Sequence, residues 1–394
     1  MHIERVKYKD IEKIPHLAIN KEFKLDFTGT APAPFIGRVG YPKVNIGILS
    51  PQFLGDTSYY DSPKFWSKGN FSVGSVATLR YGLVNSRAQA NVKDLQGKIF
   101  ETVQEVGIAR RPAELEIKLE RKPELSLKPE HDIAPFGPQA QVVKAQITAN
   151  VKIDQQMEKV VRDTDLKANE GIMALYKKGF EEATLNKALS VGALGLGKNR
   201  KLVPTRWSIT AVDDTIGKNI IDEIEQYQQG DLQIFFGGAW GNYYLVLMFA
   251  DAFRYELFEM YLKLDVNPWS KQGYKYSTDY ESYGGRTAYA EETAGGYYAA
   301  RLPVLEKMKE MKRQCSALVL RFITDEYNVP LGVWVCREAA RKSLYSPGII
   351  FASREEMFVY ARALVQDKFK FNLDIVLEKS KLLHEGKQKR LGEF

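Results

Sequence analysis

The sequence predicts an α/β fold of the mixed α+β kind with a helical C-terminal third, and three observations support this. Short apolar runs of strand length recur along the chain, at 44–48, 115–119, 232–236, 244–249, 317–323 and 331–335. Between and after them, apolar residues are spaced as on one face of an α-helix. The first fifty residues are instead dense in glycine and proline, which predicts an ordered but irregular region that ends in a strand over 44–48.

The clearest single strand signal is Leu-Glu-Ile-Lys-Leu at 115–119, whose alternation of apolar and charged residues is typical of a half-buried strand. Residues 155–179 show helical spacing, and a clearer helix is predicted to begin near Thr215. Either Asp214 or Thr215 is expected to cap this clearer helix. Further helices are predicted over 251–263, 300–313, 336–345, 353–366 and 372–385.

Prolines interrupt residues 123–138 and predict a boundary between two parts of the chain. We therefore expect an N-terminal mixed lobe over 1–135 and a main α/β domain over 136–384. The last ten residues, 385–394, lack periodicity and are expected to form a mobile tail.

Composition excludes several classes of protein. Apolar residues make up 44% of the chain and charged residues 27%, which is ordinary for a globular protein. No apolar run is long enough to cross a membrane, and the N-terminus lacks the apolar core of a signal peptide, so we expect a cytoplasmic protein. The net charge of +7 permits contact with a polyanion without requiring it.

Metal and disulfide chemistry have little support in the sequence. The two cysteines, Cys315 and Cys336, lie in apolar settings and are expected to be reduced and largely buried. Four scattered histidines do not suggest a metal site, so zinc is not expected. A carboxylate site for Mg²⁺ remains open.

The tail carries a recognisable motif, because Gln388, Leu391 and Phe394 form the pattern Q-x-x-L-x-x-F. In a 3₁₀ turn, residues three apart lie on the same side, so Leu391 and Phe394 would present one apolar face to a hydrophobic pocket. Flanking lysine and arginine residues would attract an acidic surface. The pattern is typical of peptides that bind a sliding clamp, although such peptides usually carry two aromatic residues in succession.

A basic loop is predicted to contact nucleic acid. Four cations lie within nine residues after a glycine-rich stretch, and a tryptophan follows directly; these residues are Lys198, Arg200, Lys201, Arg206 and Trp207. Cations can hold phosphates and an indole can stack on a base. The alternative is a solvated loop whose tryptophan belongs to the core. The stretch also fits G-x-x-x-x-G-K, but Asn199 replaces the Ser or Thr of a Walker loop, which excludes an NTPase.

Catalytic residues are harder to assign, and three weak candidates emerge. Asp213 and Asp214 either cap a helix or, together with Asp163 and Asp165, bind a divalent metal. Arg286 lies in a block, 274–298, that contains seven tyrosines and two glycine pairs. This block is either a surface for stacking a ligand or an irregular tyrosine-rich core.

Three long blocks resemble the NreA family of archaeal DNA repair proteins over nearly the whole chain. They span 35–47, 161–176 continuing into 188–220, and 284–322, and the most specific stretch reads KLVPTRWSITAVDDTIGK. The resemblance implies a role in DNA repair and an interaction with the sliding clamp PCNA, but it implies no established reaction. Many members begin with a four-cysteine zinc module, and this chain has no cysteine before Cys315.

These observations favour a DNA repair protein that binds PCNA through its C-terminal motif and contacts DNA or a nucleotide through its body. Two alternatives remain open. One is an enzyme acting on nucleic acid, either a metal-dependent nuclease or a nucleotidyl- or ADP-ribosyl-type transferase. The other is a non-catalytic adaptor on the clamp.

Overall fold

The computed structural model describes residues 23–124, 137–262 and 276–384, and these form two compact units. The first unit contains the described residues up to 216 together with 329–334. The second contains 217–328 and the described residues from 335 onward. Each unit is built on one six-stranded sheet with helices, so the mixed α+β class is confirmed.

The sheet of the first unit has the order β1-β5-β6-β4-β3-β2. Only the pair β4–β6 is parallel, and the other neighbours are antiparallel. The strands over 44–48 and 115–119 are confirmed with slightly wider bounds. The six strands are β1 (Asp26–Ala31), β2 (Ala33–Ile36), β3 (Lys43–Ser50), β4 (Val84–Asn91), β5 (Ala113–Leu119) and β6 (Gln139–Ile147).

Among the described residues, the α-helices that accompany this sheet are, in chain order, α1 (Pro63–Lys68), α2 (Val73–Tyr81), α3 (Lys98–Ile108), α4 (Gln155–Arg162), α5 (Ala168–Tyr176), α6 (Glu182–Ser190) and α7 (Thr205–Ile224). The segment with helical spacing, 155–179, forms two helices, α4 and α5, because α4 ends before Asp163. There the Asp163 side chain accepts a hydrogen bond from the backbone N–H of Asp165 at 3.0 Å. Such a local bond competes with the helical hydrogen bond and stops the helix.

The sheet of the second unit has the order β10-β9-β11-β8-β7-β12, with β9–β11 as its parallel pair. Its strands are β7 (Leu232–Ala239), β8 (Asn242–Phe249), β9 (Tyr255–Tyr261), β10 (Tyr276–Glu281), β11 (Ser316–Ile323) and β12 (Ile349–Phe351). The helix predicted over 251–263 is therefore wrong. Six of the seven residues of β9 are buried, so the strand lacks the polar alternation that marks a half-buried one.

The helices that the structure describes in the rest of the chain, over 276–384, are α8 (Ala294–Met311), α9 (Trp334–Leu344), α10 (Arg354–Phe369), α11 (Asp374–Leu377) and α12 (Lys381–His384). The C-terminal third is thus only partly helical, because β10, β11 and β12 alternate with these helices. The apolar run at 331–335 is no strand, since it leads into α9. One face of the sheet buries Leu247, Phe258 and Leu320 in a core shared with Met357 and Val365 of α10.

Both cysteines are buried and reduced, as predicted. Within residues 23–124, 137–262 and 276–384, no helix is long and apolar enough to cross a membrane.

Candidate nucleic-acid interface

The basic loop, which we define as residues 191–204, connects α6 to α7 and is held in place by backbone hydrogen bonds. Gly192 has a φ of 69°, and a Cβ on it would lie 2.9 Å from the carbonyl oxygen of Lys201. Only glycine avoids this contact. The N–H of Leu202 then donates to the carbonyl of Val92 at 2.8 Å, which attaches the loop to the end of β4. Since the loop follows a helix rather than a strand, it does not have the setting of a Walker loop.

Arg200 fixes the conformation of this loop. Its Nε donates to the Gly195 carbonyl at 2.8 Å and its Nη2 donates to the Asp163 carbonyl at 3.0 Å. Partial burial lowers the pKa of the Arg200 guanidinium, and the Asp163 carboxylate opposes this effect. Lys198 and Lys201 are exposed. The loop thus presents two lysines to solvent on a framework that Arg200 braces.

The hairpin between β2 and β3 lies against the start of α7. Thr205, the first residue of α7, accepts a hydrogen bond through Oγ1 from the N–H of Ile36 at 3.0 Å. The hairpin turns over residues 37–42, where Tyr41 donates its N–H to the carbonyl of Arg38. This junction brings the tip of the hairpin next to the first turn of α7.

An exposed aromatic pair forms at this junction. The rings of Tyr41 and Trp207 have centroids 5.2 Å apart and an interplanar angle of 53°. Tyr41 is 45% exposed and Trp207 is 44% exposed, so about half of each side chain faces solvent. Trp207 therefore does not belong to the core, which was the alternative prediction for it. Tyr41 was not among the residues predicted from the sequence, where its only signal is its place in a turn-rich segment.

Basic residues lie on the chain segments that adjoin the aromatic pair. The N–H of Val92 donates to the Pro42 carbonyl at 2.9 Å, and Val92 in turn accepts from Leu202, so three chain segments lie side by side. Each segment carries a lysine next to these hydrogen bonds, and all three lysines, Lys43, Lys93 and Lys201, are exposed. We call the resulting set the aromatic–basic surface; it consists of Arg38, Tyr41, Lys43, Lys93, Lys201, Arg206 and Trp207. One exposed acid, Asp94, borders it.

This surface has two features that are typical of surfaces that bind a nucleic-acid strand. Half-exposed rings offer planar faces on which bases can stack. Cations spaced around them can neutralise backbone phosphates. Neither feature requires a particular base sequence, so the arrangement favours contact with a strand over recognition of one sequence.

The acids Asp213 and Asp214 do not cap a helix, and that prediction is wrong. Helix α7 begins at Thr205, with the N–H groups of Trp207 and Ser208 donating to the Pro204 carbonyl. Both aspartates therefore lie in the middle of α7. Asp213 is 1% exposed and Asp214 is partly exposed. Pro204 lies directly before the first turn of α7, and proline is well tolerated where a helix starts.

No metal centre is evident in the described parts of the chain. Among residues 23–124, 137–262 and 276–384, no three His, Cys, Asp or Glu side chains lie close enough to hold a metal ion. Asp163 and Asp165 are exposed, whereas Asp213 is buried. The four acids suggested for a divalent metal therefore differ in their surroundings.

Arg286, in the second unit, braces the loop between β10 and α8. Its guanidinium donates to the carboxylate of Asp279 at 2.8 Å and to the carbonyls of Tyr280, Ala288 and Tyr289 at 2.9–3.1 Å. Asp279 also accepts hydrogen bonds from the N–H and hydroxyl of Thr293, immediately before α8. Most of the donor capacity of Arg286 is thus used inside the protein, which indicates a structural role.

The tyrosine block combines both alternatives that the sequence left open. Tyr283 and Tyr289 are 65% and 53% exposed, whereas Tyr297 is fully buried. The Tyr297 hydroxyl donates to Glu281 at 2.7 Å, and Arg301 pairs with the same carboxylate at 2.5 Å. Burial and the nearby Glu281 carboxylate raise the pKa of Tyr297. This part of the block is a buried, internally paired polar cluster.

The clamp motif, with Gln388, Leu391 and Phe394, lies outside the described residues. It therefore stays a prediction from sequence.

Together these features define a two-unit α+β protein with an aromatic–basic surface on its first unit. The chain belongs to the archaeal Nre family. The family's N-terminal part (Archaeal Nre, N-terminal) matches residues 8–269, and its C-terminal part (Archaeal Nre, C-terminal) matches residues 281–394.

Curated relatives agree with this assignment. The chain is 38% identical to the DNA repair protein NreA of Haloferax volcanii over 80% of this chain and 77% of that protein. It is 36% identical to the DNA repair protein NreB of Archaeoglobus fulgidus over 97% of this chain and 95% of that protein. The DNA repair protein NreA of the same organism is 36% identical over 88% of each chain. No solved structure matches the chain.

Proposed function

We propose that this protein acts in DNA repair by contacting a DNA strand through the aromatic–basic surface of its first unit. The observation that carries the proposal is the exposed Tyr41–Trp207 ring pair with lysines on three adjoining segments. The names of the three relatives, all called DNA repair proteins, supply the biological setting.

The surface suits a single strand better than a rigid duplex. Stacking requires a base whose face is accessible, and bases in a duplex are already stacked on their neighbours. A strand opened at a lesion offers such bases. The ring pair would stack on them while Lys43, Lys93 and Lys201 neutralise phosphates on either side.

A second part of the proposal concerns the tail. Gln388, Leu391 and Phe394 would bind the sliding clamp PCNA, with Leu391 and Phe394 as apolar anchors. Binding at the clamp would raise the effective concentration of the first unit near DNA. The tail would then hold the protein at PCNA, and the aromatic–basic surface would contact the DNA.

The salt dependence of DNA binding tests the proposed contact. Each cation that neutralises a phosphate of a single strand adds about 0.7 to the slope of log affinity against log salt concentration. We expect the triple variant Lys43→Ala, Lys93→Ala, Lys201→Ala to lose about 2 units of slope, as measured by fluorescence anisotropy with a labelled single strand.

The matched control removes three exposed lysines from other elements of the same unit, namely Lys68, Lys118 and Lys144. Both triple variants change the net charge equally. An equal loss of slope in the two variants would show that only the overall charge matters, and no binding by the wild-type protein would refute the proposed DNA contact.

A further inference from the structure

The first unit also contains a cavity of about 460 Å³ that none of the residues of the aromatic–basic surface line. Its walls come from the end of α3, the start of α6, the loop between α5 and α6, and the turn before α1. Sites that hold small molecules usually have volumes of about 300–1,000 Å³. The volume of the cavity is therefore sufficient for a small organic ligand that contains a ring.

The charged residues in the wall favour an anion. Four cations line the cavity, Arg110, Arg111, Lys178 and Lys187, against three acids. One of these acids, Asp61, is already paired with Arg80 at 2.6 Å. The balance of charge in the cavity is thus positive.

Two of the three acids have partners inside the protein. Besides Asp61, the carboxylate of Asp154 accepts a hydrogen bond from the N–H of Gln156 at 2.9 Å and caps α4. The third acid, Glu181, is exposed. The cations therefore dominate the field that an entering ligand meets.

Lys187 is the cation best placed to hold a ligand. Its side chain is half-buried, and its Nζ donates to the Pro32 carbonyl at 3.2 Å. An ammonium group has three N–H donors, so this single bond leaves donor capacity at the wall. Ala183 and Thr184, in the first turn of α6, line the same wall. The partial positive charge at the start of a helix adds to the attraction for a phosphate.

The remaining wall suits the organic part of a phosphorylated ligand. Val106, Ile108, Pro112 and Phe180 supply apolar surface. Hydroxyl groups of Ser62 and Thr184 can bond to a sugar. The exposed guanidinium of Arg110 is planar and can stack on a base.

We infer that this cavity binds a nucleoside that carries a phosphate monoester. The phosphate lies against Lys187 and the start of α6, with Arg110 and Arg111 at the opening, and the nucleoside covers the apolar wall. Such a ligand has two sources, a free mononucleotide and the 5′-phosphorylated end of a DNA strand. The inference does not depend on the proposed DNA contact, because the two sites share no residue.

Calorimetry on the whole protein tests the inference with four probes: AMP, adenosine, a 5′-phosphorylated trinucleotide and the same trinucleotide with a 5′-hydroxyl. We expect at least one phosphorylated probe to bind about tenfold more tightly than its unphosphorylated partner, since a charge-assisted contact to phosphate is lost in the latter. AMP binding identifies a free nucleotide as the source. Binding of the phosphorylated trinucleotide without AMP binding identifies a strand end.

Two sets of variants locate the site. The double variant Arg110→Ala, Arg111→Ala removes exposed side chains, and Lys187→Gln keeps a donor for Pro32 while removing the charge. Each set should weaken the binding of the phosphorylated probe about tenfold or more. The control Lys118→Ala, Lys144→Ala removes two exposed charges of the same unit that lie outside the cavity and outside the aromatic–basic surface, and it should leave the affinity unchanged. Equal binding of phosphorylated and unphosphorylated probes, no binding of any probe, or equal effects of the cavity and control variants would overturn the inference.

Discussion

Replacing Arg286 by alanine separates a structural role from a catalytic one. The guanidinium of Arg286 joins Asp279 and the Tyr280 carbonyl, both on β10, to the carbonyls of Ala288 and Tyr289 in the loop that leads to α8. The side chains of Arg286 and Asp279 are 17% and 6% exposed, so the pair is largely shielded from water. Alanine would leave the Asp279 carboxylate without its cation and remove the bonds that shape the loop.

The size of the effect follows from this burial. Removing one partner of a buried ion pair costs about 3–5 kcal/mol. Asp279 would retain its hydrogen bonds from Glu291, Glu292 and Thr293, so we expect the lower end, about 3 kcal/mol. For a unit of this size, each kcal/mol lowers Tm by roughly 2–4 °C, which predicts a fall of about 6–12 °C.

Differential scanning calorimetry measures this change, with Arg313→Ala as the control because Arg313 is exposed. Lysine at position 286 should restore only part of the stability, since one ammonium cannot reach all four acceptors. An Arg286→Ala protein whose Tm lies within about 2 °C of wild type would refute the structural role, because the loss of this shielded ion pair should lower Tm by more than that.

Two further predictions concern the junction and the tail. Thr205→Ala removes the acceptor of the buried Ile36 N–H, so the free energy of unfolding should fall by about 1–3 kcal/mol in denaturant titrations. Thr205→Ser keeps the hydroxyl and should be close to wild type in stability. Equal stability of both variants would contradict this role for the hydroxyl. Phe394→Ala should weaken binding to PCNA by more than about 2 kcal/mol, or roughly thirtyfold, in calorimetry, because it removes an aromatic anchor. Glu393→Ala serves as the control for the tail because position 393 is a variable position of the motif, and unchanged affinity of Phe394→Ala would show that the motif is not the binding element.

Local patterns predicted those elements whose periodicity matched their burial. The strand over 115–119 could be predicted because β5 alternates buried and exposed residues along its whole length. The strand β9 could not, because it buries Glu256 and Glu259 together with its apolar residues. Glu256 accepts hydrogen bonds from Ser380 and Leu382, and burial raises its pKa. Partners so distant in sequence leave no local signal.

The candidate surface was predictable only in part, for the same reason. Trp207 and the basic residues before it are neighbours in sequence, so their association could be inferred directly. Tyr41 reaches Trp207 only because β2 and α7 meet at the Ile36–Thr205 hydrogen bond, between residues 169 positions apart. The start of α7 was also missed, since the sequence predicts it near Thr215, whereas the helix begins at Thr205, directly after Pro204.

The central claim is that the exposed Tyr41–Trp207 pair stacks on DNA bases, and the affinity of Trp207→Ala for a labelled single strand tests it most directly. Loss of a stacking ring costs about 1–3 kcal/mol per base, so we expect affinity to fall by roughly fivefold to 150-fold. Phe65→Ala provides the matched control, since Phe65 is a 50% exposed aromatic residue of the same unit that lies outside the aromatic–basic surface. We expect a large loss of affinity for the single strand in Trp207→Ala and no loss in Phe65→Ala, with both proteins folded. Equal affinities for the wild type and Trp207→Ala would contradict it.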